Sequence, residues 1–182
     1  MSKNVLVIST SLRHSSNSEA LAQAFAEGAV QAGHNVEVAS LRGAELKFCI
    51  GCLSCQRRAD GHCVFSDDAD ALVQRMRKAD VLAFATPIYY YEMAGQMKTL
   101  LDRANPLYCV DYDFRDVYFL GSAAEAEDAA FDRAVEGLNG WIACFEHARL
   151  AGELRAGGLE GTGEAAADAD LLDRARAMGA DV

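Results

Sequence analysis

Four of the six cysteines lie within fifteen residues and have a spacing that suits metal or redox chemistry. Cys49, Cys52 and Cys55 form two consecutive C-x-x-C steps, and Cys63 follows them. Three thiolates on one short loop suit three corners of a [4Fe-4S] cluster, with Cys63 as the fourth ligand. Structural zinc usually pairs two separated C-x-x-C units, and free or disulfide-forming thiols are a third interpretation. The spacing favours a cluster and leaves zinc binding and free or disulfide-forming thiols as open alternatives.

A polar loop over residues 10–18 follows the first apolar segment. It contains five serines and threonines, an amide and Arg13, at the start of a predicted helix. A helix N-terminus offers free N–H groups and a positive dipole, and an arginine adds a planar pair of donors. The loop therefore predicts a site for a phosphate monoester, since the dinucleotide and nucleoside-triphosphate glycine motifs are both absent. A well-capped polar loop without a ligand is the alternative interpretation.

Three consecutive tyrosines follow another apolar segment, in the stretch from Thr86 to Met93. Backbone groups beside Pro87 could bind the edge of a flat aromatic ring, while a tyrosine covers its face. A packed aromatic corner or a subunit interface would also explain these tyrosines. We expect a combination of these roles.

Alternating strands and helices must position these loops. Apolar or alternating segments predict five strands, at 5–8, 36–41, 81–85, 117–120 and 149–155, with Pro87 ending the third. Capping residues and helical periodicity predict helices at 16–33, from Asp67 or Asp68, and at 95–103, 131–142 and 165–178. This alternation predicts an α/β fold with a five-stranded, doubly wound parallel sheet and helices on both faces. In such sheets ligands bind beyond the carboxyl ends of the strands, where the three loops after strands one, three and four should meet.

The composition narrows the class of protein. The chain has 182 residues, 51% of them hydrophobic, which predicts a single domain over 1–182 with a cysteine-rich insertion at about 47–67. A net charge of -10 disfavours binding to nucleic acid or an anionic membrane. The first residues lack signal-peptide features, so we expect a cytoplasmic protein. Cys109 and Cys144 stand apart from the cluster, and we expect them to be buried apolar side chains.

Three segments together resemble one known family. They are Ser11-Leu12-Arg13 through Asn17-Ser18, the segment from Ala79 to Tyr89, and the segment from Gln96 to Arg103. Their order and spacing are similar to those of the NADPH-dependent FMN reductase family, which has a flavodoxin-like fold with strand order 2-1-3-4-5. The four clustered cysteines with Asp67-Asp68 resemble the iron-sulfur flavoprotein branch of that family. The resemblance covers most of residues 3–125, and departs from the family at Leu12, where many members have proline.

The resemblance implies a set of cofactor-binding residues. The phosphate of FMN would be held by Ser11, Arg13, Ser16, Asn17 and Ser18. The isoalloxazine would be lined by Pro87, Ile88, Tyr89 and Tyr90, and approached by Ser122, Ala123 and Ala124. Metal ligands would be Cys49, Cys52, Cys55 and Cys63. No side chain is needed as a general acid or base, because the flavin carries the chemistry.

The implied function is an FMN-dependent NAD(P)H oxidoreductase that passes electrons to a flavin, a quinone or a protein acceptor, with the cluster as a relay. Two alternatives remain, a non-enzymatic electron carrier between protein partners and a metal-binding module that has lost its flavin. The expected partners are a small-molecule acceptor or an electron-carrier protein. Family members usually associate, so a homodimer or homotetramer is also implied.

Overall fold

Six strands form one sheet in the computed structural model, which describes all 182 residues. The strands are β1 (Asn4–Ser9), β2 (Asn35–Ser40), β3 (Val81–Tyr89), β4 (Glu92–Met93), β5 (Asp116–Ser122) and β6 (Arg149–Ala156). Five strands are parallel in the order β2-β1-β3-β5-β6, and β4 pairs with β3 in the antiparallel direction. The predicted five-stranded parallel sheet and its strand order are confirmed, and β4 is an additional short strand.

Seven α-helices connect or flank the strands. They are α1 (Asn17–Gln31), α2 (Ser54–Arg58), α3 (Asp68–Lys78), α4 (Gly95–Arg103), α5 (Asp132–Ile142), α6 (Glu164–Ala167) and α7 (Ala169–Ala180). Side-chain caps fix three of the helix starts, because the side chains of Ser16, Asp67 and Asp168 accept hydrogen bonds from backbone N–H groups of the first turn. No helix is both long and apolar enough to cross a membrane.

The core is divided into two layers by the sheet. Side chains alternate along each buried strand, so that Leu6 and Phe84 pack with α3, α4 and α5, whereas Val7 and Ala83 pack with α1 and α7. Helices therefore cover both faces of the sheet, as predicted. The edge strand β2 is mostly exposed, with only Val36 partly buried and Ala39 buried.

Two predicted boundaries were wrong. Strand β3 continues through Pro87 to Tyr89, because its pairing with β1 ends at Ala85 and the missing N–H of Pro87 costs no hydrogen bond on that side. The final helix is divided at Asp168, whose side chain caps the start of α7 instead of continuing α6.

Candidate functional site

The carboxyl ends of β1, β3 and β5 meet at one edge of the sheet, and the loops beyond them line an open cavity of about 160 Å³. Eleven of the twelve predicted cofactor-binding residues line it. They are Ser11, Arg13, Ser16, Asn17, Ser18, Pro87, Ile88, Tyr89, Ser122, Ala123 and Ala124. The fold thus brings three separate segments of the sequence to one cavity. Their contacts with FMN remain a prediction.

One end of this cavity suits a phosphate. The hydroxyl of Ser18 is buried and has no hydrogen-bond partner in the protein. Helix α1 begins beside it, and Ser16 accepts a hydrogen bond from the backbone N–H of Glu19 at 3.1 Å, which leaves the earlier N–H groups of the helix without intrahelical partners. A buried hydroxyl without a partner is costly unless a ligand satisfies it. These donors therefore fit the terminal phosphate of FMN.

Arg13 and its loop lie beside these donors. Arg13 is exposed and lines the cavity, where its charge can approach an anion. Arg42 contacts this loop through its guanidinium. Its Nη1 donates to the backbone oxygen of Arg13 at 3.4 Å and lies 3.2 Å from Nδ1 of His14. Its other terminal nitrogen forms an ion pair with Glu19. Sequence reasoning missed Arg42, since it follows the distant strand β2.

The side chain of Asn17 makes two hydrogen bonds within the protein, and its contact with the FMN phosphate stays a prediction. Its amide nitrogen donates to the oxygen of Gly161 at 2.8 Å, and its amide oxygen accepts from the N–H of Ala165 at 3.1 Å. These bonds fasten the segment after β6 to the start of α1. That segment brings Leu159 and Glu160 to the cavity, and neither residue was predicted. No motif in the sequence marks them, because only the return of the chain from β6 places them there.

The other end of the cavity suits a flat ring. Pro87, Ile88 and Tyr89 form the last part of β3, and a two-residue turn at Tyr90 and Tyr91 then leads into β4. Both turn residues have positive φ, 52° and 64°. Tyr90 is 97% exposed and does not line the cavity, so the structure leaves it outside the group it was predicted to join.

The four clustered cysteines line a second, much smaller cavity, of about 20 Å³. Most of its other lining residues are apolar, and three polar side chains, Asp102, Arg103 and Asn105, complete it. Cys55 is buried and accepts a hydrogen bond from the Asn105 amide at 3.2 Å. Hydrogen bonds from the side chain and backbone of Ser54 lower the pKa of Cys52. Four thiols around one apolar cavity are a donor set that fits a [4Fe-4S] cluster.

The cysteines are not drawn together in this structure. No three Cys, His, Asp or Glu side chains converge closely enough to hold one metal ion, and all six cysteines are free thiols. Cys109 is partly buried and Cys144 is exposed, so the expectation that both are buried was wrong. Each lies in or next to a surface turn, where neither the sheet nor a helix covers it.

A buried ion pair supports the wall of the cysteine cavity. Both carboxylate oxygens of Asp67 accept from the guanidinium of Arg103, at 2.6 and 2.8 Å, and each side chain is 1% exposed. Burial raises the pKa of Asp67, but hydrogen bonds from Arg103 and from the N–H of Lys47, with the charge of Arg103, lower it to about 2. Asp67 is therefore ionised across the physiological range.

The sequence is similar to those of known proteins. The model of the NADPH-dependent FMN reductase family matches residues 3–154. An iron-sulfur flavoprotein from Methanocaldococcus jannaschii is 34% identical over 103 residues, which are 57% of this chain and 52% of that protein. An NAD(P)H-dependent FMN reductase from Pseudomonas aeruginosa is 36% identical over 106 residues, which are 56% of this chain and 49% of that protein. The matched stretch thus spans about half the length of these two relatives.

The fold is also similar to that of solved structures. An NAD(P)H:quinone oxidoreductase from Methanothermobacter marburgensis superposes with a TM-score of 0.72 and 19% identity, over 100% of this chain and 97% of that one. At this identity the likeness concerns the fold.

Proposed function

Since the chain belongs to the NADPH-dependent FMN reductase family, we propose that it is an FMN-dependent NAD(P)H oxidoreductase that passes electrons onward through a [4Fe-4S] cluster. The electron acceptor would be a flavin, a quinone or a protein. One observation carries this proposal: a single cavity joins a set of phosphate donors at the start of α1 to the flat wall formed by the end of β3. FMN is a molecule with a phosphate at one end and a planar ring at the other.

The residues of the first cavity bind and orient the cofactor. The hydroxyls of Ser11, Ser16 and Ser18 and the first N–H groups of α1 would hold the phosphate, and Arg13 would balance its charge. Residues 87–89 and 122–124 would flank the ring and keep water from one face. When bound, FMN supplies hydride acceptance from a nicotinamide and release of electrons singly or in pairs.

The residues of the second cavity would hold the cluster. Cys49, Cys52, Cys55 and Cys63 would supply four thiolates. Closing this set around a cluster requires movement of the exposed loop that carries Cys49 and Cys52.

The first test is flavin binding by a matched pair of variants. Ser18→Ala removes the buried hydroxyl without a partner, whereas Ser15→Ala removes an exposed hydroxyl from the same loop. Loss of a hydrogen bond to a charged group costs about 1.5–3 kcal/mol, so Ser18→Ala should raise the FMN dissociation constant at least roughly tenfold. Ser15→Ala should stay within about twofold of the unmodified protein. Titration of the apoprotein followed by flavin fluorescence measures both, and equal affinities would contradict the phosphate site.

A second candidate function is that of an electron carrier without nicotinamide activity of its own. Exposed apolar side chains on the cysteine loop favour it, because Phe48 is 77% and Ile50 66% exposed and such patches serve as docking sites. Anaerobic oxidation of NADH or NADPH with a small quinone or free flavin separates the two. Steady turnover supports the oxidoreductase, and turnover only after addition of a separate reductase supports the carrier.

We also propose that the chain forms a homodimer or homotetramer, as its family resemblance implies. Light scattering on the purified protein tests this, and a monomer at micromolar concentration would contradict it.

A further inference from the structure

Arg103 is a fully buried cation on the wall of the cysteine cavity, and the flavin cavity does not use it. Its side chain is 1% exposed and lies at the carboxyl end of α4. The guanidinium packs over the ring of Phe65, 5.2 Å from its centroid. Arg103 and Cys63 line the same cavity.

Four of the five N–H donors of Arg103 have partners. One terminal nitrogen donates to Asp67 at 2.6 Å and to the oxygen of Lys47 at 2.8 Å. The other donates to Asp67 at 2.8 Å and, weakly, to the oxygen of Phe65 at 3.5 Å. The fifth donor, Nε, is buried and has no partner in the protein. A buried donor in this state points to a group that the protein alone does not supply.

A second donor already reaches a cysteine. The amide of Asn105 donates to the sulfur of Cys55 at 3.2 Å. Asn105 follows Arg103 by two residues, at the start of the 3-10 turn Asn105–Cys109, so α4 and this turn hold both donors on one rigid segment.

We propose that Arg103 and Asn105 are positioning residues of the cysteine site, which donate hydrogen bonds to sulfur atoms of the bound cluster and raise its reduction potential. This inference rests on the proposed cluster. One-electron reduction adds one negative charge to the site, with the reduced flavin as electron donor. Hydrogen bonds and a nearby positive charge stabilise that added charge. Asp67 has a supporting part, since it fixes the orientation of the guanidinium.

The test is a potentiometric titration of the anaerobically reconstituted protein, followed by the electron paramagnetic resonance signal of the reduced cluster. Arg103→Lys keeps the charge but removes the planar donors, and Asn105→Ala removes the second donor. Each should lower the equilibrium constant for one-electron reduction roughly tenfold, which is about 59 mV, and should change the resonance signal. Lys78→Ala is the matched control, because it removes an exposed cation from the end of the neighbouring helix α3 and should change the constant less than twofold.

The outcomes separate this inference from the proposed function. Full cluster content with an unchanged potential in Arg103→Lys and Asn105→Ala would overturn the inference and leave the cluster in place. Absence of iron and sulfide from the reconstituted unmodified protein would overturn both the cluster and the inference, but not the flavin site. If Arg103→Lys does not fold, judged by circular dichroism, the partly buried Asn105→Ala decides the result alone.

Discussion

Asp67 is a buried carboxylate whose ionised form depends on hydrogen bonds from Arg103 and the backbone N–H of Lys47. Its pKa is about 2 in the folded chain and 3.8 as an unperturbed group. A lowered folded-state pKa contributes stability above the unfolded value, and this contribution is lost as the pH falls through the folded value. The cost of protonating this group should therefore appear between about pH 4 and pH 2.

The expected size of this effect is about 2 kcal/mol in the free energy of unfolding. Urea denaturation of the metal-free protein at several pH values between 5 and 2 measures it. Asp113 is the natural comparison, because it is an exposed carboxylate outside this ion pair, so Asp113→Asn should leave the pH dependence nearly unchanged. An Asp67→Asn variant that folds should lose this part of the acid sensitivity, and retention of it would show that other groups are responsible.

The sequence predicts which residues line the cavity when they lie in a loop just after a strand. It misses residues that long-range packing brings to the cavity from a distant part of the chain. Ser16 and Ser18 follow β1 directly, so their place near the phosphate end could be inferred from a short segment. Glu160 reaches the same cavity only because β6 returns beside β5 and the segment after it crosses α1. Such long-range packing leaves no local pattern of residue types.

Helices α1 and α7 pack closely because small residues lie at their crossing. A Cβ added to Gly179 would lie 2.0 Å from the oxygen of Phe25, and one added to Gly28 would lie 1.9 Å from the oxygen of Arg176. Both partners are backbone atoms, which cannot move aside without moving a helix. The crossing therefore requires glycine at both positions. The reason is the close contact between the two helices, since neither glycine has a positive φ.

Gly179→Ala should therefore destabilise the chain by about 1–3 kcal/mol, the usual cost of overpacking. Gly140→Ala is the matched control: Gly140 also lies in a helix but has open space around its Cβ position. That change should instead stabilise the chain by up to about 1 kcal/mol, since alanine is the better helix former. Thermal denaturation followed by circular dichroism compares the two, and a neutral Gly179→Ala would contradict the tight crossing.

Element type could be predicted wherever a segment was long and strongly patterned. The segment that forms β3 contains a continuous run of apolar residues, which is typical of a buried strand. The segment that forms α5 has apolar residues at helical spacing over three turns. Strand β4 has only two residues, so no periodicity can reveal it. The break at Asp168 was missed because aspartate occurs both on exposed helix faces and at helix N-caps. Only the hydrogen bond that its side chain accepts from the N–H of Leu171 identifies it as a cap.

Segments from the first and last parts of the chain meet at the first cavity. The family match ends at residue 154, yet Leu159 and Glu160 beyond it line the cavity. Asn17 joins these segments, with bonds that span more than 140 residues of sequence. The residues predicted to line the cavity all lie within the first 125 residues, whereas the fifth parallel strand, β6, and the contribution of Leu159 and Glu160 come from the last third.

The docking of residues 157–165 onto the start of α1, through the Asn17 bonds, should consequently be coupled to flavin binding. A ligand that contacts residues on both sides of these bonds stabilises the docked arrangement. By linkage, docking strengthens the binding of the ligand by the same free energy. Bound FMN should therefore slow amide hydrogen exchange in residues 157–165, measured by mass spectrometry, and Asn17→Ala should reduce this protection and weaken FMN binding roughly five- to tenfold. Asn139→Ala, an exposed asparagine on α5, should change neither quantity. Weakened binding with unaltered protection would show that Asn17 contacts the cofactor directly, as the sequence alone had suggested, and that the docking is independent of it.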